Sequence, residues 1–125
     1  MLNKLKEKMI NIKLERFELV HDLLSEPPIS YKIELLDYST FTFSSSENEP
    51  KIYPIKKIIK LINFIKINQI TDYINDRVLD GNSIKILYKL NEQNERKIEL
   101  INLEYSDDKI HKKFNSIYMK TLKDL

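Results

Sequence analysis

The stretch at residues 29–35 alternates strictly between apolar and other side chains, and this period of two is typical of a half-buried β-strand. Phe41 and Phe43 repeat the alternation among threonines a few positions later. Turn-forming residues at positions 37–39 separate the two runs. We therefore predict an antiparallel pair of strands joined around residues 37–39.

A second alternating stretch covers residues 84–90 and predicts another strand. Residues 91–94 are polar and suit a turn, and residues 97–105 form a further apolar run. The apolar side chains of that run change face between Leu100 and Ile101, which indicates a β-bulge. The sequence thus predicts two hairpins, or about four antiparallel strands.

Apolar residues at intervals of three and four predict helices elsewhere. One such helix covers residues 2–24 and ends at the Ser-Glu-Pro-Pro sequence of residues 25–28. Residues 10–14 also suit a strand, so the alternative is a helix that breaks there. Residues 71–80 fit a short helix with Gly81 as its C-terminal stop, although the Asp-Gly dipeptide there also suits a hairpin turn.

The last helix is expected to begin at Ser106, whose hydroxyl suits an N-cap, with Asp107 and Asp108 in its first turn. Ile110 is the first residue of its predicted buried stripe, which continues through Phe114, Ile117, Tyr118, Thr121, Leu122 and Leu125.

The stretch from Tyr53 to Ile70 contains four lysines, no acidic residue and many isoleucines. On a helical wheel most of the isoleucines share one face and most of the lysines lie opposite, with Pro54 in the first turn. We interpret it as a core helix with a solvated lysine face rather than a membrane-surface helix, which usually carries Trp, Phe or Leu. Phe64 and Ile67 point toward the lysine side, so either another helix covers them or they form a small exposed apolar patch. Cover by the N-terminal helix is the prediction.

Taken together, these patterns predict a single α+β domain over residues 1–125. Its elements follow the order α-ββ-αα-ββ-α, with four antiparallel strands in two hairpins packed by helices.

Composition excludes several classes of function. The chain has no cysteine and one glycine, Gly81. Disulfides, thiol catalysis, cysteine-ligated zinc and glycine-rich phosphate loops are thereby excluded. No segment resembles a signal peptide or a membrane span, so we expect a cytoplasmic protein without cofactor or metal that is not an enzyme.

The two histidines, His21 and His111, are the residues best suited to acid–base chemistry, for example in a ribonuclease-like reaction with a lysine. His111 also lies three and four positions after Asp108 and Asp107, a spacing that suits a shared metal. Helix-terminal positions explain all four residues without chemistry. We therefore predict no catalytic or metal-binding residue.

Asp72, Asp76 and Asp80 follow one another at intervals of four, which on a helix aligns three carboxylates along one face. Such an acidic ridge would suit a basic protein partner. These three residues are the predicted partner-binding site.

Lysines also line the outside of the last helix, at positions 109, 112, 113, 120 and 123. If that helix lies beside the central one, the lysines form a single basic surface that would suit nucleic acid. Arginine, the usual residue of base recognition, occurs at three positions only, and the net charge is +2. Nucleic-acid binding is therefore the alternative prediction.

In size, lack of cysteine and absence of catalytic motifs, the chain resembles the immunity proteins of bacterial toxin systems and small phage inhibitors. This resemblance implies a small binding module that occludes another protein, such as a toxin nuclease. It carries over no individual residue.

Overall fold

The computed structural model describes residues 14–24, 27–75 and 81–125. They form an α+β fold in which a mixed seven-stranded sheet carries two α-helices. The strands are β1 (Leu14–Leu23), β2 (Ile29–Leu35), β3 (Thr40–Ser45), β4 (Lys51–Pro54), β5 (Tyr73–Ile74), β6 (Asn82–Leu90) and β7 (Arg96–Ile101). The helices are α1 (Ile59–Ile67) and α2 (Lys109–Lys123), with short 3-10 turns at Ile55–Lys57 and Leu103–Tyr105.

The strands lie side by side in the order β4-β3-β2-β1-β6-β7-β5. All neighbouring pairs are antiparallel except β5 and β7, which are parallel. Both predicted hairpins, β2–β3 and β6–β7, are confirmed. The sheet is nonetheless larger than the four strands predicted, since β1, β4 and β5 add to it.

The predicted N-terminal helix is wrong over its described part, because residues 14–23 form β1 at the centre of the sheet. Phe17, Leu19 and His21 alternate toward the core, a period of two that coexists in this segment with the helical spacing. Hydrogen bonding to β2 on one side and β6 on the other decides between the two patterns. Residues 2–13 of the predicted helix lie outside the described residues.

The predicted helix at residues 71–80 is also wrong over its described part. Tyr73 and Ile74 are extended and pair with Leu100 and Ile101 of β7. The remainder of that prediction, residues 76–80, lies outside the described residues. Strand β4 was not predicted, because its four residues are too short to show an alternation.

β7 ends earlier than predicted, and the expected bulge is absent from its pairing with β6. Asn102 has a left-handed backbone (φ 57°) that turns the chain out of the sheet and into a 3-10 turn. This conformation explains why the apolar pattern shifts at residue 101.

Both α-helices pack on one face of the sheet. That face carries the inward side chains of the strands, which include Phe17, Leu19, Ile33, Phe41, Ile84, Ile86, Ile98 and Leu100. The predicted core role of the central helix is confirmed, since Ile58, Leu61, Ile62 and Ile65 are all buried. The helix itself begins at Ile59, after Pro54 has ended β4 and a 3-10 turn has intervened. Ile67 is 68% exposed, and no described residue supplies the predicted cover.

The start of α2 differs from the prediction in one respect. Its N-cap is Asp108, whose carboxylate accepts hydrogen bonds from the backbone N–H groups of Ile110 (2.8 Å) and His111 (3.1 Å). Ser106 lies just before the cap. Ile110, the predicted first residue of the buried stripe, is 38% exposed. The first buried residue of α2 is His111.

Candidate functional site

His21 is a core residue of β1. His21 is 3% exposed, and its Nδ1 lies 2.8 Å from the hydroxyl oxygen of Tyr118 on α2. Burial lowers the pKa of His21, and the carboxylates of Asp22 and Glu104 partly offset that effect. Burial also raises the pKa of the Tyr118 hydroxyl, which therefore keeps its proton. The pair is a neutral link between the central strand and α2.

The His111 ring has both of its nitrogens in hydrogen bonds. Nδ1 lies 2.8 Å from the Ser106 hydroxyl oxygen, and Nε2 lies 2.9 Å from the carbonyl oxygen of Thr71. The ring is also 5.4 Å from that of Tyr73. His111 thus ties the first turn of α2 to the segment that leads into β5.

These contacts give each histidine a structural role and join neither to a lysine. Within residues 14–24, 27–75 and 81–125 there is no group of three or more His, Asp or Glu side chains that could hold a metal ion. Asp108 is engaged as the helix cap, and hydrogen bonds from the backbone of His111 and Ile110 lower its pKa. That the histidines perform no chemistry remains a prediction.

The predicted acidic site is only partly described. Asp72 is exposed and accepts a hydrogen bond from the backbone N–H of Glu99 (2.9 Å), next to the β5–β7 pairing. Because Asp72 precedes a strand, it does not belong to a helical ridge. Asp76 and Asp80 lie outside the described residues, so their role in binding a partner stays a prediction.

Asp72 instead borders a shallow depression of about 450 Å³ on the sheet face opposite the helices. Val20 and Leu87 contribute apolar side chains to this depression. Its charged side chains come from β1, β6, β7 and the segment before β5; they are Glu18, Asp22, Asp72, Glu99, Lys85 and Lys97. We call this the acidic depression, since four carboxylates face two lysines. Sequence reasoning missed it, although its strand residues occupy the alternate positions that do not enter the core.

Ion pairs cover the neighbouring part of the same face. Arg16 lies 2.9 Å from Glu95, and Lys32 lies 2.8 Å from Glu34. Lys89 pairs with Glu15. Exposed pairs of this kind contribute little to stability, and the surface they form is typical of a face in contact with water.

The two helices lie side by side and antiparallel, which meets the condition for one basic surface. At one end the Tyr53 hydroxyl donates to the carbonyl oxygen of Leu125 (3.2 Å), and the Lys57 ammonium group donates to that of Asp124 (3.4 Å). At the other end, His111 reaches Thr71. The basic surface consists of the exposed lysines of both elements: Lys56, Lys57, Lys60, Lys109, Lys112, Lys113, Lys120 and Lys123. No acidic residue occurs within residues 51–71 or 109–123.

Comparison with known proteins adds no assignment: no family model, curated protein or solved structure matches the chain. In the described ranges, neither helix has the length and apolar character needed to cross a bilayer.

Proposed function

We propose that the protein is a small binding module that occludes a basic protein partner, in the manner of an inhibitor or immunity protein. The acidic depression carries this proposal. It combines two apolar side chains, Val20 and Leu87, with an excess of carboxylates. On the middle strand β6, Lys85 lies between Val20 and Glu99, and Leu87 lies between Glu18 and Lys97. Apolar contacts interspersed with polar and charged groups are usual in protein–protein interfaces.

The charge of the depression fits a basic partner. Asp72 is exposed and Glu99 is half-buried. Both carboxylates can therefore attract a positively charged partner from solution. Complementary charges at an interface mainly accelerate association and reject wrongly charged partners. A module of this kind needs no catalytic group.

A pair of neutralising substitutions tests the proposal. Asp72→Asn with Glu99→Gln removes two charges, and the new amide at position 72 retains an acceptor for the Glu99 N–H. Against the partner captured from source cells, we expect several-fold slower association in surface plasmon resonance, with a weaker dependence on salt.

The matched control is Glu47→Gln with Glu49→Gln, which makes the same change of charge in the exposed β3–β4 loop. It should associate at the rate of the unmodified protein. Equal association rates for the two double variants would rule out the acidic depression as the binding surface.

The side-by-side arrangement of the helices favours a second candidate function, nucleic-acid binding through the basic surface. Lys112→Glu with Lys113→Glu should then abolish binding to a short fluorescent DNA duplex. Single substitutions should reduce the slope of log affinity against log salt by roughly 0.9 for each phosphate that the protein no longer neutralises. Lys85→Glu with Lys97→Glu, on the opposite sheet face, is the matched control and should bind like the unmodified protein.

A further inference from the structure

A cavity of about 430 Å³ lies between the sheet and the C-terminal half of α2. It is separate from the acidic depression and shares one residue, Lys123, with the basic surface. Its volume falls within the range of ~300–1,000 Å³ that is typical of small-molecule sites. Met119 is half exposed and Lys123 is exposed, so the cavity reaches the surface beside α2.

Aromatic rings from three adjacent strands line the sheet side of the cavity. The His21 and Tyr31 rings are 6.0 Å apart, and Tyr31 stacks on Phe43 with ring planes 10° apart at 6.0 Å. The Ile84 side chain lies beside His21 on the neighbouring strand. This side of the cavity is largely aromatic and apolar, which suits an aromatic ligand.

His21 also brings a polar atom without a partner. Its Nε2 is buried and makes no hydrogen bond with any described residue. If the Tyr118 hydroxyl donates to Nδ1, the proton of the neutral ring is on Nε2, and one donor is left unpaired. The other tautomer leaves two groups unpaired, the Tyr118 hydroxyl hydrogen and the Nε2 lone pair. The first arrangement is therefore favoured, and it presents an N–H that lacks an acceptor.

The lining of the cavity carries one positive charge, since Lys123 is its one charged residue among those described, and the amide of Asn115 is a further donor. The Asn82 amide also lines the cavity, but it donates to the Glu104 carboxylate (2.8 Å). Asp22 and Glu104 act on His21, and neither contributes to the lining. An anionic group on a ligand therefore has Lys123 as its cationic partner.

We propose that this cavity is a binding site for a small planar aromatic anion, such as an aromatic carboxylate. The ring of the ligand packs against the Tyr31 and Phe43 pair, its carboxylate pairs with Lys123, and an acceptor atom takes the hydrogen bond offered by His21 Nε2. Met119, with its flexible thioether chain, adjusts to the ligand at the mouth. The proposal does not rest on the protein-binding function.

Naphthoate is a suitable probe, with naphthalenemethanol as its neutral counterpart. In titrations followed by NMR of the folded protein, we expect saturable naphthoate binding and a shift of the His21 Nε2 resonance. Lys123→Gln should weaken naphthoate binding about tenfold and leave naphthalenemethanol binding unchanged. Lys120→Gln is the matched control, because Lys120 is on the same helix but does not line the cavity.

Met119→Trp separates binding in the cavity from binding elsewhere. The larger side chain fills the mouth from a half-exposed position, so the protein is expected to stay folded while naphthoate binding falls at least tenfold. Unchanged binding in this variant, or the absence of saturable binding in the unmodified protein, overturns the site. Binding without a shift of the His21 Nε2 resonance overturns the hydrogen bond assigned to that atom.

Discussion

At the scale of single residues, the structure gives the one glycine a role other than the predicted helix stop. A β-carbon added to Gly81 would lie 1.9 Å from the Asn102 side-chain oxygen. Asn102 is buried, accepts from the Asn82 N–H (3.0 Å) and donates to the Asn75 carbonyl oxygen (2.6 Å). Gly81 is therefore required for the close packing of Asn102, which joins the start of β6 to the end of β5.

We expect Gly81→Ala to destabilise the protein by roughly 2–3 kcal/mol, because the Asn102 side chain must move and lose its hydrogen bonds. Chemical denaturation measures this change. The double variant Gly81→Ala with Asn102→Ala should be no less stable than Asn102→Ala alone, since the clash is then gone. Additive losses would show that the close approach to Asn102 is not the cause.

His21 makes the stability of the fold sensitive to acid. Its pKa is below the ordinary value of 6.5 in the folded state, so the unfolded chain takes up a proton first as the pH falls. The free energy of unfolding should therefore decrease below about pH 6.5, by up to about 1.4 kcal/mol per pH unit, and be unaffected by this group above it. The carboxylates of Asp22 and Glu104 reduce the effect.

His21→Gln removes the titrating group and retains an acceptor for Tyr118. We expect a smaller loss of stability between pH 7 and pH 5 in this variant than in the unmodified protein, as measured by urea denaturation at each pH. Parallel curves for the two proteins would contradict the assignment to His21.

At the scale of the elements, α1 depends on its apolar face rather than on its lysines. Ile62 is 5% exposed and packs in the core, whereas Lys56 and Lys60 lie on the exposed side. Ile62→Asp should unfold the protein, because an unpaired buried carboxylate costs several kcal/mol against a total stability of ~5–15 kcal/mol. Lys56→Glu with Lys60→Glu should change the melting temperature little. A folded Ile62→Asp protein in circular dichroism would contradict the core assignment.

The elements that the sequence predicts correctly carry their pattern locally. Strands β2, β3 and β6 show a period of two, β7 shows it up to Leu100, and α2 shows a clear helical stripe. β1 carries both periods, so only its pairing with β2 and β6 decides its conformation. β4 and β5 are four and two residues long, too short to show a sequence period. Their extended conformation depends on pairing with the neighbouring strands.

The candidate sites, like β1, depend on contacts between residues that are far apart in the sequence. Asp72 was identified by its spacing, but its position beside Glu99 depends on the parallel pairing of β5 with β7. The hydrogen bond between His21 and Tyr118 joins residues that are 97 positions apart. No local pattern could have predicted either arrangement, because both arise from the order of strands in the sheet.

At the scale of the whole molecule, two prolines reduce the number of hydrogen-bond donors that the edge strand β4 offers to a further strand. The Ile55 N–H donates to the Ser39 carbonyl oxygen, so the backbone polar groups of residue 55 point toward β3. Because these groups alternate in direction along a strand, those of position 54 point away from the sheet. Pro54 has no N–H to offer there, and Pro50 lacks one just before the strand. Prolines on an edge strand are a known protection against pairing between molecules.

Restoring the two missing donors with Pro50→Thr and Pro54→Thr should therefore promote self-association. Sedimentation velocity over a range of concentrations measures the effect, and we expect dimers or larger species at concentrations where the unmodified protein sediments as a smaller one. Pro28→Thr, in the β1–β2 connection, is the control. If the double variant sediments like this control, the prolines do not protect the edge.

The position of β1 in the sheet has a consequence for synthesis on the ribosome. On one edge, β1 pairs with β2, its neighbour in the chain. On the other edge it pairs with β6, whose first residue is synthesised 59 positions after Leu23. At ~5–20 residues per second, that edge stays open for about 3 to 12 seconds after β1 has left the tunnel. Phe17 and Leu19 are buried in the folded protein. During this interval β6 is not yet available to pack beside their side chains. We expect nascent chains stalled before Asn82 to recruit chaperones that bind exposed apolar strands, and chains released after Leu90 to escape them.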